Sequence, residues 1–285
     1  MTGREKVLAL AAYIFLCFAW GSTYIGIRVV VETMSPFWFA GSRFLISGAL
    51  LLALAWALRR PMPTKFGPIV VMAFFYVTIS NTALCWGLKY VSGGIGANMG
   101  ALTPLVVALM MAMLPRGERL GLIGWAGLAM GAAGVTLLVW QKVTGGEWGL
   151  LLACASWSAG TIYARYNSQQ YDPLSMTAFE MLIGGAIMMA AAPFIEPAMH
   201  GTPTADTWLA YGYMVVVGGC LGFIAYTYLI QKVPATKAST FGYINPGVGM
   251  ALGALVLGET YTGMQLAGSG VLLLAVFLVQ SSKAR

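Results

Sequence analysis

Charge is what this chain has least of. Asp, Glu, Lys and Arg make up 9% of its 285 residues against 59% hydrophobic ones, and the mean hydropathy is +0.79. An ordinary soluble domain carries about 25% charged residues, so that class is excluded and a polytopic membrane protein remains. The one histidine, His200, falls between two apolar runs and offers no ion carrier inside a membrane. The four cysteines, Cys17, Cys85, Cys154 and Cys220, all lie inside apolar runs, without metal-ligand spacing or a loop partner for a disulfide, and read as small core residues. No HExxH, GxSxG or buried His-Asp combination is present. An enzyme would lack its nucleophile, base and ligands, so neither catalysis, a metal nor a cofactor is expected.

What the chain does have is apolar length. A spanning helix needs about 20 mainly apolar residues, and ten such runs can be read: 7 to 31, 36 to 58, 68 to 90, 92 to 114, 121 to 140, 147 to 167, 173 to 195, 207 to 232, 236 to 257 and 262 to 282. The first is too long for the apolar core of a signal peptide and has no small-residue cleavage site, so it counts as helix one. The formal charge of +7 does not point to nucleic acid, because the basic residues sit at helix ends. They report orientation instead. With the N-terminus in the cytoplasm, only Arg28, Lys89 and Lys142 fall outside, and Arg43 lies within helix two. Both termini are therefore expected to be cytoplasmic.

One device appears twice. In Val233 to Glu259 an apolar run carries Asn245 and Pro246 near its middle and ends in Gly258-Glu259. Proline removes a backbone bond and leaves the carbonyl four residues earlier, at Gly242, without its donor, in a medium with no water to replace it. In Val91 to Glu118, Pro104 stands to Gly100 in the same way, and Gly117-Glu118 closes the run. The repetition extends further. Shifted by 137 residues, Cys17 meets Cys154, Trp20 meets Trp157, Arg28 meets Arg165, Pro36 meets Pro173 and Gly48 meets Gly185. Two five-helix units result, 1–143 and 144–285. An odd number of helices per unit makes the second enter from the opposite face, the inverted repeat common in secondary transporters.

These paired features, a helix-opening Val-Ser or Val-Pro, a small-residue run, a mid-helix proline and a terminal Gly-Glu, resemble the two EamA domains of the drug/metabolite transporter superfamily, over the whole chain. Within it the layout is most similar to the bacterial YddG-type exporters of aromatic and neutral amino acids. The resemblance implies an all-α integral membrane protein with ten transmembrane helices as two inverted EamA repeats around a central cavity. It places helices three, four, eight and nine at that cavity, with one, two, six and seven around them.

Three groups of residues could line it. Ser239, Gly242, Pro246, Gly249 and Gly253 form a small-residue stripe on helix nine, matched by Ala97, Gly100 and Pro104 on helix four. Such stripes let helices pack closely, while the freed carbonyls of Gly100 and Gly242 could accept bonds from a substrate ammonium. Pro104 and Pro246 would be bending points. Asn98 and Asn245 suit a carboxylate or amide, or a neighbouring helix. Aromatic residues near mid-membrane come second: Trp20 and Tyr24 on helix one, Tyr76 with Asn81 and Trp86 on helix three, Trp157 on helix six, Tyr226 on helix eight and Tyr243 on helix nine. Their polar tips need partners, and a ring-lined pocket suits an apolar or aromatic solute; Trp38, Trp140, Trp148, Trp208 and Tyr261 are assigned to the interface belts. Third, Arg43 and Glu180 are equivalents, each seven residues into its helix and so about 10 Å deep. Buried ionisable groups are costly and often functional, and these two could gate, couple to protons or anchor structure. Arg28 and Glu32 read as an interfacial pair, with Glu32 also a possible partner for Arg43.

The reading is an alternating-access carrier in the bacterial cytoplasmic membrane. It would let small metabolites, above all neutral and aromatic amino acids, flow out down their gradient. A proton-coupled exporter of drugs or other metabolites on the same fold is the alternative; an intramembrane enzyme, a scaffold or a channel is more remote. Lipid and a small-molecule solute are the expected partners, without nucleic acid, and a monomer would suffice.

Overall fold

The computed structural model describes residues 3–114, 120–140, 143–232 and 241–281. Gly117-Glu118, Lys142 and the stretch holding Ser239 lie outside the described residues. Within them the regular elements are helices, apart from one isolated bridge between Met34 and Met199. They are α1 (Gly3–Val30), α2 (Pro36–Ala57), α3 (Gly67–Leu88), α4 (Gly93–Met113), α5 (Leu122–Val139), α6 (Gly146–Asn167), α7 (Pro173–Ile195), α8 (Ala205–Tyr213 continuing through Gly222–Lys232), α9 (Phe241–Leu257) and α10 (Gly263–Ser281). Each apolar run of the sequence thus holds a helix. By length and composition seven qualify as membrane spans, α1 to α5, α7 and the Ala205–Tyr226 part of α8, while α9 and α10 are shorter apolar helices. The remaining helix, α6, is long enough but carries Glu147, Ser156, Ser158, Thr161 and Arg165.

Pro36 and Pro173 open α2 and α7, where the missing N–H costs nothing. The Asp172 carboxylate also accepts from the amides of Leu174 and Ser175, both at 3.1 Å. These two helices pack on each other, as α5 packs on α10. Glycine makes both contacts backbone to backbone. A methyl group on Gly48 would stand 2.9 Å from the amide nitrogen of Leu182 and 3.0 Å from the carbonyl oxygen of Ala178; on Gly185 it would stand 2.9 Å from the nitrogen of Leu45 and 3.0 Å from the oxygen of Gly41. The second pair of neighbours is the first shifted by 137 residues. At the other end Gly134 lies against Gly268 and Leu272, and Gly268 against Gly134 and Leu138. Between these two contacts α1 packs on α8 and α9, and α6 packs on α3 and α4.

A second matched feature is a widened turn. α3 runs as a π-helix over Ala73–Ile79 and α8 does so over Met214–Leu221. Widening disturbs the regular bonding ladder, and in lipid each carbonyl it frees needs a donor from protein. Side chains donate to carbonyls along both widened turns: Ser156 to Phe75 at 2.7 Å, a carbonyl that also accepts the Ser80 amide, Asn81 to Tyr76 at 2.7 Å, Ser47 to Val215 at 3.0 Å and the Trp20 indole to Gly218 at 3.2 Å. The polar residues of α1, α2, α3 and α6 are thereby held at fixed places.

The glycine contact is testable by overpacking. Gly185→Ala should lose about 1–3 kcal/mol and lower the melting temperature of the purified protein in detergent, whereas Gly212→Ala, where a methyl group meets nothing within 4 Å, should leave it unchanged or slightly raised. Equal melting of both variants would show that α2 and α7 can separate without cost.

Candidate functional site

Four of the aromatic residues singled out in the sequence converge where α1, α3, α6 and α8 meet. The ring centroids of Trp20 and Trp157 are 6.3 Å apart, those of Tyr76 and Trp157 4.7 Å, and those of Trp20 and Tyr226 5.2 Å. Phe223 and Phe241 complete the cluster at 5.4 and 5.1 Å from Trp20. The Tyr76 hydroxyl donates to Thr161 at 3.3 Å. Most of these rings meet edge to face, the arrangement their quadrupoles favour. They pack against one another across the four helices.

Glu180 lies on α7, which packs on the widened turn of α3 that carries Tyr76. It is buried, lies within electrostatic range of the Tyr76 and Tyr226 phenols, and its Oε1 has no hydrogen-bond partner among the described residues. Its equivalent, Arg43, is placed quite differently. The guanidinium donates to Asn81 Oδ1 at 3.0 Å and sits over the rings of Phe44 and Phe39, at 4.3 and 5.1 Å, leaving Nε without a bond among the described residues. Asn81 in turn donates to the Tyr76 carbonyl, so Arg43 is tied to the widened turn of α3. Glu32 is not its partner: that carboxylate faces Arg28 at 4.0 Å.

The other residues of interest lie elsewhere. Tyr24 packs its ring against Gly100 and Gly96 of α4, and the Gly100 carbonyl accepts from the Thr103 hydroxyl at 2.9 Å. The donor that Pro104 cannot provide is thus replaced from within the helix. α4 is divided there into Gly93–Gly100 and Thr103–Met113, whereas α9 continues through Pro246. Gly242 has open space on its side-chain face. Asn98 is fully buried, donating to the Gly94 carbonyl at 2.9 Å and accepting from Ser269 of α10 at 2.5 Å. The Asn245 amide nitrogen, in the orientation its neighbours require, faces the carbonyls of Phe241 at 3.1 Å and Cys17 at 3.2 Å. Tyr243 donates to the Val276 carbonyl of α10 at 3.4 Å, away from the ring cluster.

One polar group had no role in the sequence reading beyond closing its motif. Gly258 takes a left-handed conformation, φ 64°, directly after α9, a bend that glycine allows. It delivers Glu259 to the start of α4, where the carboxylate accepts from the amides of Gly93 at 2.7 Å and Gly94 at 3.1 Å and from the Tyr261 hydroxyl at 2.5 Å. A helix N-terminus holds a carboxylate well, through free N–H groups and the helix dipole. Tyr261, assigned to the interface belt from sequence, is therefore part of this clasp. Burial first, then the carboxylate it bonds, hold its phenol above the usual tyrosine value, so it stays a donor.

The fold and this site define a multi-pass membrane protein whose polar and aromatic groups are gathered between helices. The chain belongs to the EamA-like transporter family, whose model matches it twice, at residues 7–140 and 144–281. It is 31% identical to a WAT1-related chloroplastic protein of Arabidopsis thaliana, over 97% of this chain and 70% of that protein. It is 30% identical to the uncharacterized inner membrane transporter YedA of Escherichia coli K12, over 99% of this chain and 94% of that one. These likenesses are to YedA-type and WAT1-related proteins, so the family replaces the narrower likeness to YddG-type exporters. A crystal structure with 18% identity superposes with a TM-score of 0.66, over 98% of this chain and 96% of that one, which shows the fold.

Substituting Glu259 by alanine should leave the Gly93 and Gly94 amides without an acceptor. A charged hydrogen bond contributes about 1.5–3 kcal/mol, so their hydrogen exchange should speed up about tenfold or more, and less in Glu259→Gln. Unchanged exchange would mean that water replaces the clasp.

Proposed function

We propose that this protein is an alternating-access carrier for small amphipathic metabolites, first among them neutral and aromatic amino acids, which it lets out across a bacterial cytoplasmic membrane down their gradient. The observation that carries this reading is the convergence of Trp20, Tyr76, Trp157 and Tyr226 from four helices, with the buried Glu180 within electrostatic range of its two tyrosines. Apolar rings around one polar group are what an amphipathic solute needs. The repeat supports the motion. Two five-helix units, 1–143 and 144–285, inserted with opposite orientation and with both termini cytoplasmic, would exchange conformations by rocking about the α2–α7 and α5–α10 contacts, all ten helices crossing the bilayer. The clasp of Glu259 on α4 then belongs to the outer face, which it closes. Asn81 and Arg43 brace the widened turn that presents Tyr76, while Tyr24, Asn98, Gly100, Pro104, Gly242, Tyr243, Asn245 and Pro246 serve the moving helices around the site. A single chain suffices for this cycle, and the YedA relative is named an inner membrane transporter.

A second reading, a proton-coupled exporter of drugs or other metabolites, is favoured by Oε1 of Glu180, a buried carboxylate oxygen without a hydrogen bond among the described residues. Purified protein in proteoliposomes separates the two. Labelled phenylalanine, methionine and threonine should move by saturable, competable flux without accumulating against a gradient when a pH difference is imposed; accumulation would establish proton coupling. Trp157→Ala should cut phenylalanine flux several-fold more than threonine flux, as loss of a ring contact requires. Tyr243→Ala, which touches α10 instead, should lower both equally. No flux of any amino acid would overturn the cargo.

A further inference from the structure

Positions 43 and 180 are equivalent in the repeat but carry opposite charges, and their surroundings differ. Arg43 has a hydrogen bond to Asn81 and two ring faces, with only Nε unbonded among the described residues. Glu180 forms no ion pair among the described residues, unlike Glu32 with Arg28 and Asp172 with Arg60. Its Oε1 is buried and unbonded. A carboxylate out of water is costly unless something donates to it or balances its charge. The rings near it cannot balance it. Those of Tyr76 and Tyr226 lie within electrostatic range where α7 packs on α3 and α8, Trp157 and Trp20 pack on them in turn, and such ring faces carry negative potential, which attracts cations and not anions; the Tyr76 hydroxyl already donates to Thr161.

A buried carboxylate beside aromatic rings is complemented by a proton or, when a solute is bound, by a positively charged group with N–H donors and an apolar body. We propose that Glu180 with Trp20, Tyr76, Trp157 and Tyr226 forms a recognition site for an organic ammonium group, so that the solutes carried are amines, or zwitterions bearing an ammonium. The inference rests on the carrier reading above and narrows it. The ammonium would donate to Oε1 and lie over the rings, while its apolar remainder replaces the ring contacts broken on opening. An organic anion of the same size would face the Glu180 charge and the ring faces, and is excluded. The carboxylate end of an amino acid would need its own donor elsewhere.

Three probes of equal bulk decide this with the full chain in detergent: phenethylamine, 3-phenylpropionate and 2-phenylethanol, with binding read from tryptophan fluorescence and melting temperature. Phenethylamine should bind the unaltered protein, and the other two at least about tenfold more weakly, as loss of a charge-assisted bond implies. Glu180→Gln should weaken phenethylamine by about tenfold to a hundredfold and leave 2-phenylethanol unchanged. Binding of 3-phenylpropionate as strong as that of the amine, or of the amine equally to both proteins, would overturn the ammonium site. The comparison among probes on the unaltered protein holds even if Glu180→Gln does not fold. Amine binding without flux in proteoliposomes would overturn the carrier and leave the ammonium site standing. Flux with no preference for amines would do the reverse, and neither binding nor flux would overturn both.

Discussion

The contact on which this bundle depends is the backbone approach of α2 and α7 at Gly48 and Gly185. Lipid tails are as apolar as leucine, so hydrophobicity does not hold one helix to another inside a membrane, and close packing must do it. At these glycines each helix lies against the other's amide and carbonyl groups, and the two contacts are one contact written twice, 137 residues apart. The α5–α10 crossing at Gly134 and Gly268 repeats the arrangement at the other side. A third glycine contact joins α6 to α3, where a methyl group on Gly146 would stand 2.6 Å from the Gly87 carbonyl oxygen and one on Gly149 2.8 Å from that of Ala83; α1 packs on α8 and α9.

Between the glycine contacts polar side chains add to the packing. Along the π-helical stretches of α3 and α8, Ser156, Ser47 and Trp20 donate to backbone carbonyls from neighbouring helices, and Asn81 does so from within α3. Each of these bonds also fixes a part of the site. Trp20 is both a donor to Gly218 and the ring around which Trp157, Tyr226, Phe223 and Phe241 gather. The backbone irregularity and the aromatic cluster are therefore one structure. Loss of the Trp20 indole would orphan a buried carbonyl as well as open a hole among the rings.

The helices were legible in the sequence because apolar length is a property of composition, and the seams were half legible because glycine at matched positions has few other uses in lipid. The ring cluster was legible only in part. Trp20, Tyr76, Trp157 and Tyr226 stand out as amphipathic rings at mid-helix, but Phe223 and Phe241 look like any other apolar residue in a run of them. Depth along a helix also says nothing about the side it faces. Tyr243 and Tyr226 share a type and a depth, yet one reaches α10 and the other joins the cluster. Asn98 and Asn245 are spent on other helices, and the Gly100 carbonyl on Thr103 three residues away. The π-helices have no periodic signature, because one extra residue per turn leaves the apolar pattern of an all-apolar helix unchanged. The Glu259 clasp needed knowledge of how α9 ends beside α4, which no local pattern contains.

The departure from symmetry is as informative as the symmetry. At several matched positions the residues are the same: glycine at 48 and 185, proline at 36 and 173, tryptophan at 20 and 157. At 43 and 180 an arginine stands opposite a glutamate, and the surroundings differ to match. Asn81 offers its side-chain carbonyl to the arginine, while the glutamate lies within electrostatic range of two phenols. Each of the two buried groups keeps one atom without a bond among the described residues, Nε of Arg43 and Oε1 of Glu180, but only the arginine has a side-chain partner and two ring faces around its charge. On the carrier reading proposed above, a solute with a charged end and an apolar end has no symmetry of its own, and a site that reads it would break the repeat at such a pair.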